Sequence, residues 1–209
     1  MKVVVLSESS ADEAAIRILV NGVLGKETED VPSLPLRSRG WPYVHRVLPT
    51  VIKFLHYRTD AEALVVIADS DDSTIHQSSH EQAGGEESRC RLCQLRNVFK
   101  ETKLGSVPGR AELKSAVGLA VPAIEAWYLC GVDPHVNEAT WARKLQQGER
   151  ITFTRNALKK QVYGTERPTI EIMTRYAVEA AARLADNLSE IERLFPNGFG
   201  PFANDVRSW

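Results

Sequence analysis

The sequence predicts an α/β fold: a mostly parallel central sheet flanked by helices, with a helical C-terminal part. Three observations predict it. First, the short runs at residues 2–7, 63–68 and 113–121 are apolar without alternation, as in strands buried on both faces. Second, each run is followed by residues with helical spacing. Third, everything after residue 137 carries helical periodicity and no further strand pattern.

The elements follow in order. After Glu8, the pair Ser10 and Glu13 has the spacing of a capping box. Ile16, Leu19, Val20, Val23 and Leu24 then share one helical face, and Gly25 is a C-terminal stop. Residues 26–40 read as a loop with Pro32, Pro35 and Gly40, and Ser33–Leu36 suits a short edge strand. Pro42 fits a first helical turn, and Val44, Leu48, Val51, Ile52 and Leu55 form that helix's apolar stripe. Residues 73–88 are rich in Ser, Gly, Glu and His and read as an excursion from the sheet. A short helix at Cys90–Glu101 follows, then the third strand. Pro122 opens a helix carrying Glu125, Trp127 and Tyr128. Later helices are expected at Glu138–Gln147, Thr154–Tyr163 with Gly164 behind, a long one from about Met173 to Ile191 that breaks near Asn187, and Phe202–Trp209. The predicted organisation is a domain at 1–135 with a His/Cys-containing insertion at about 73–95. A helical extension at 136–209 packs on it.

A chain of 209 residues buries a real core without disulfides. A net charge of -1 supplies no global basic field, so nucleic-acid binding would need a local patch. No run reaches membrane-spanning length, and only seven residues precede the first carboxylate. The expected location is the cytoplasm, with no membrane partner. Three cysteines make no even disulfide set, so reduced thiols or metal ligands are expected. Cys130 follows an apolar helix and reads as core, as do Trp127 and Tyr128.

Acidic residues follow all three strands: Glu8, then Asp69, Asp71 and Asp72, then Glu125. Ligands of open α/β sheets bind at the carboxyl ends of the strands. Carboxylates delivered there are hard oxygen ligands suited to Mg2+ or Mn2+, and so to phosphate chemistry. The competing readings are a solvated turn for the aspartates and a helix-dipole preference for Glu125.

The order strand–Glu–helix, then strand–Asp-x-Asp, resembles the Toprim domain of topoisomerases, primases and OLD-type nucleases. Ser7–Glu13 is similar to the OLD-type E-G-P-T-D-E turn, with Ser9 and Ser10 at the glycine and proline positions. Asp69-Ser70-Asp71 matches the Asp-x-Asp, and only Asp72 follows closely as a further acid. Residues 121–129, 157–164 and 202–209 resemble a bacterial family of Toprim-like proteins of largely undefined function. The resemblance implies Mg2+-dependent phosphodiester chemistry on DNA or RNA, as in a nuclease of a defence or repair system. Asp69 and Asp71 would hold the metal, Glu8 would be a ligand or general acid/base, and Glu125 would serve a second ion. Lys159 or Lys160 would meet a substrate phosphate, or else be a solvated helix face. The alternative function is a non-catalytic Toprim-fold binding or regulatory module. In either case a partner protein from a neighbouring gene is expected. A receiver-like nucleotide-binding domain ranks last, because no lysine follows in the expected strand context.

The excursion also contains His76-x3-His80 and Cys90-x2-Cys93. Two His and a Cys-x2-Cys pair suit a tetrahedral Zn2+ site. A segment with so few apolar residues would gain a core from a structural metal. The alternatives are a surface loop with incidental histidines and buried thiols on a short helix.

Overall fold

The apolar runs become strands β1 (Lys2–Leu6), β3 (Ala63–Asp69) and β4 (Lys114–Ala120), joined by a two-residue β2 (Glu29–Asp30). The structure, a computed structural model, describes residues 1–31, 40–82 and 88–209. The expected edge strand at Ser33–Leu36 lies outside them, as do residues 83–87 of the excursion. All the pairings are parallel, in the order β2-β1-β3-β4. The edge partner of β1 is therefore β2, which is too short and too acidic to read as a strand in the sequence.

Every residue of β3 is buried, and its alternate side chains supply two cores. Ala63, Val65 and Ile67 pack with α1 (Ser10–Leu24), α7 (Ile170–Ala185) and α9 (Phe199–Arg207). Leu64, Val66 and Ala68 pack with α2 (Gly40–Arg58) and α3 (Arg91–Glu101). Helices on both faces make three layers, which explains why β3 shows no polar alternation. α1 begins one residue earlier than the capping-box reading. Ser9 is the N-cap and accepts the Ala11 N–H at 3.2 Å, and Ser10 is the first helical residue. Gly25 closes the helix at φ 64°, as expected. Pro49 lies inside α2, where it removes one backbone donor from the helix ladder.

The C-terminal part forms an outer layer on the α1 face. Its members are α5 (Glu138–Gln147), α6 (Arg155–Tyr163), α7, α8 (Leu188–Leu194) and α9. The expected break near Asn187 separates α7 from α8. α1 and α7 approach closely because small residues face each other: a Cβ on Gly22 would stand 3.0 Å from the Ala185 Cβ. The C-terminal segment also closes the β4 edge. The Val117 N–H donates to Asp205 Oδ2 at 3.1 Å, the Leu119 N–H to the Gly198 carbonyl at 3.2 Å, and the Trp209 indole to the Ser115 carbonyl at 3.4 Å. Exposed strand edges otherwise pair with other chains. Among the described residues, no helix is long and apolar enough to cross a membrane.

Gly198 sits against the β4 backbone. A Cβ there would lie 2.0 Å from the Leu119 carbonyl oxygen and 2.7 Å from Glu138 Oε1. Backbone cannot yield as a side-chain tip does. Gly198→Ala should therefore cost about 3 kcal/mol or more, read as a lower urea midpoint. Gly200→Ala, with open space around its Cβ position, serves as the control.

Candidate functional site

The strand order places β1 and β3 side by side, and the chain reverses its winding between them. That seam is the switch point where open α/β sheets bind ligands. The register Val3↔Ala63 to Leu6↔Val66 brings the two strand ends together. Glu8 emerges from one and Asp69 from the other. The Asp69 N–H donates to Glu8 Oε1 at 3.0 Å. Asp69 Oδ1 accepts the Ile124 N–H at 2.9 Å, at the start of the short helix α4 (Ile124–Tyr128). The turn after β3 is pinned to the next strand's exit: the Ser70 N–H donates to the Ala120 carbonyl at 2.8 Å and the Asp71 N–H to the Pro122 carbonyl at 2.9 Å. Asp71 has φ 45°. Outside glycine that left-handed conformation is uncommon, though aspartate tolerates it better than most residues, and such backbone concentrates at functional sites.

Sequence reasoning missed the cations that hold these acids. Arg155, the first residue of α6, forms an ion pair with Asp69 Oδ2 at 2.8 Å, donates to Asp71 Oδ1 at 3.2 Å, and lies 3.8 Å from Glu8 Oε2. Arg91, the first residue of α3, reaches Asp71 Oδ2 at 2.8 Å and the Asp69 carbonyl at 2.6 Å, and lies 3.8 Å from Glu8 Oε1. An arginine outside any recognised motif gives no local signal of such a role.

A second row of acids lies behind. Asp12 on α1 is buried and accepts the Tyr128 hydroxyl at 2.8 Å. Glu125 is buried beside the Tyr163 hydroxyl, and its Oε2 makes no hydrogen bond of ordinary geometry. Lys159 on α6 acts electrostatically on both, and Lys160 is exposed. Asp72 is exposed and lines an adjoining cleft of about 590 Å3 with Trp41, Asp71, Arg89 and Arg91. Tyr128 and Trp127 are core residues as expected, but the Tyr128 hydroxyl also serves Asp12. Asp12 was legible only as part of a helix start.

Burial raises the pKa of Glu8 against the pull of the Asp69 N–H and Arg155. Burial, then Glu8 and Glu125, holds Asp69 well above the carboxylate range. Glu125 is likewise raised by burial, and Asp12 is pushed up to about 7 by burial and the nearby Glu125. Glu8, Asp12, Asp69, Asp71 and Glu125 stand against Arg91, Arg155 and Lys159, and burial favours the protonated form of Glu8, Asp12, Asp69 and Glu125 against the pull of the nearby cations.

The His/Cys residues form a separate centre. The ligand atoms of His76, His80, Cys90 and Cys93 lie within 4.8 Å of one another, so the cluster could hold a metal ion. His76 Nδ1 stands 3.6 Å from the sulfurs of both Cys90 and Cys93, and His80 Nδ1 stands 3.7 Å from Cys93 Sγ. His76 Nε2 meets Glu81 Oε1 at 3.3 Å, which leaves Nδ1 turned to the sulfurs. Glu81 comes from a one-turn 3-10 helix, Ser78–Glu81. Burial lowers the His76 pKa below its ordinary value, which favours the neutral ring. Burial pushes the metal-free Cys90 thiol up to about 12. No disulfide involves Cys90, Cys93 or Cys130, and all three are buried.

Comparison with family models, curated proteins and solved structures finds no match for this chain.

Asp12 supplies a pH test. Its folded pKa lies above the ordinary 3.8, so the folded chain holds a proton that the unfolded chain releases. Stability from this group is complete below about pH 4 and falls as pH rises towards 7, by about 4 kcal/mol in all. Asp12→Asn keeps an acceptor for Tyr128 and should remove that part of the slope. The check is urea denaturation of both proteins at several pH values across this window.

Proposed function

We propose that this chain is a divalent-metal-dependent, phosphodiester-cleaving protein of Toprim type, acting on DNA or RNA in the cytoplasm, with a structural Zn2+ in its insertion. One observation carries the reading: Glu8 and Asp69 meet at the switch point between β1 and β3, tied by the Asp69 N–H. The surrounding residues fit a divalent ion. Glu8, Asp69 and Asp71 offer oxygen ligands, and the buried Glu125 Oε2 makes no hydrogen bond of ordinary geometry. Asp69 and Asp71 with Glu8 would hold Mg2+ or Mn2+, and Glu125 would serve a second ion. Such an ion activates water and stabilises charge on phosphate oxygens. Burial raises the Glu8 pKa towards values useful for moving a proton. Arg155 and Lys159 supply positive charge for a phosphate. The adjoining cleft lined by Trp41, Asp72, Arg89 and Arg91 is where a nucleic acid would run. Three cysteines without a disulfide suit a reducing compartment.

The zinc identity rests on distances. Zn–S of about 2.3 Å and Zn–N of about 2.05 Å at a tetrahedral angle put ligand S and N atoms about 3.6 Å apart. The three S···N distances of 3.6, 3.6 and 3.7 Å match. Glu81 completes a carboxylate–histidine pair of the kind that orients metal-bound imidazoles.

A second reading rests on the arginines. Arg91 and Arg155 neutralise Glu8, Asp69 and Asp71 without any metal. Under it, the chain is a non-catalytic binding module for a partner protein encoded nearby.

Cleavage of single- and double-stranded DNA and RNA, with Mg2+ or Mn2+ and with or without the neighbouring gene product, separates the two. Asp69→Asn keeps an acceptor for the Ile124 N–H and should abolish both Mn2+ binding by calorimetry and cleavage. Glu8→Gln should lower kcat about 10^2-fold or more with a smaller effect on KM. A wild type that cuts none of these and binds no Mn2+ leaves only the second reading. For zinc, elemental analysis should give about one ion per chain, and Cys93→Ser should lose it. A chain purified with negligible zinc sinks that assignment.

A further inference from the structure

We infer that the His/Cys centre positions Arg91 on the acidic cleft, so that the metal in one site sets the cation in the other. The inference rests on the zinc assignment above and not on cleavage. Cys90 is the N-cap of α3, and Arg91 is its first residue. One Cα–Cα step of about 3.8 Å therefore separates the backbone of a metal ligand from the backbone of the residue whose guanidinium holds Asp71 and the Asp69 carbonyl.

The other side of that ion pair is tied to the same centre. Asp71 ends the β3 turn, and His76 follows five residues later. The two segments that deliver Asp71 and Arg91 thus converge on one set of ligands. Glu81 reinforces the link by meeting both His76 at 3.3 Å and Arg96 of α3 at 2.5 Å.

Cys90 makes no capping hydrogen bond of ordinary geometry, but the Leu92 and Cys93 N–H groups act on its sulfur and favour the thiolate. Ser, Thr, Asn or Asp normally anchors that position. A metal-bound thiolate there would supply both the fixed point and the negative charge that a helix N-terminus favours. The buried residues of α3 are Leu92, Cys93 and Leu95. Apolar packing therefore retains the helix body, while the centre sets the direction of its first turn.

Arg91 carries its own reporter. Its guanidinium lies over the Trp41 ring, 4.9 Å from the centroid. Trp127 and Trp141 are buried in the core on the far side of the sheet. The test is fluorine NMR of the full chain labelled with 5-fluorotryptophan, with the Trp41 resonance assigned by Trp41→Phe. Removing zinc with a chelator should displace the Trp41 resonance and leave those of Trp127 and Trp141 in place. Restoring zinc should return it. Arg91→Gln should displace it similarly while zinc content stays at one per chain.

A Trp41 resonance that ignores zinc removal overturns the inference. So does collapse of all four tryptophan resonances, because the centre would then hold the whole fold and not one side chain. An Arg91→Gln chain that loses its zinc also overturns it, since the arginine would then be supporting the centre. Absence of nuclease activity leaves the coupling standing. A cleaving enzyme with an unresponsive Trp41 removes the coupling and leaves the nuclease reading intact.

Discussion

The N–H of Asp69 donates to Glu8 across the seam of β1 and β3, and the arrangement of charge in the cleft follows from that bond. It fixes a carboxylate from one strand against the backbone of the next at a place where water is largely excluded. A buried carboxylate raises the cost of every other carboxylate near it. Burial, then Glu8 and Glu125, raises Asp69, burial alone raises Glu125, and two arginines are drawn in. The parallel register prepares the meeting: Leu6 stands level with Val66, and β3 runs on to Asp69 beside the chain that leaves β1 with Glu8.

The strands were legible because full burial on both faces leaves an unbroken apolar run, and β3 has such a run. β2 was not, since two acidic edge residues carry no hydrophobic pattern. The helices announced themselves by periodicity, and two of their ends by Gly25 and Gly164, which sit at positive φ. The acids at strand ends could be read from position alone. Asp12 could not, because an acid in a first helical turn already has a sufficient explanation in the helix dipole. Arg91 and Arg155 were beyond reach for a different reason. Their role depends on where α3 and α6 point, and that depends on packing between segments distant in sequence. The His/Cys set was readable because ligand type and spacing carry the information locally.

The C-terminal segment does more than fill a layer. Asp205 receives the Val117 N–H and also meets Arg96 at 3.3 Å, and Arg96 meets Glu81, which meets His76. A continuous polar line thus runs from the closed edge of β4 to the His/Cys centre. Burial raises the Asp205 pKa, and Arg96 opposes it. The residues 202–209 singled out in the sequence are accounted for by this edge closure and by the packing of Phe202, Ala203 and Val206.

Three of the four residues of the His/Cys centre are almost wholly enclosed: Cys90 is 0%, His76 3% and Cys93 5% exposed. Only His80 stands partly open. An ion held in such an enclosure would enter or leave the closed chain only slowly, so loading would be easiest during folding. Exchange afterwards would require local opening and would be correspondingly slow. Any ion carried by a purified sample would then record chiefly the metals present while that sample folded, rather than those in its final buffer.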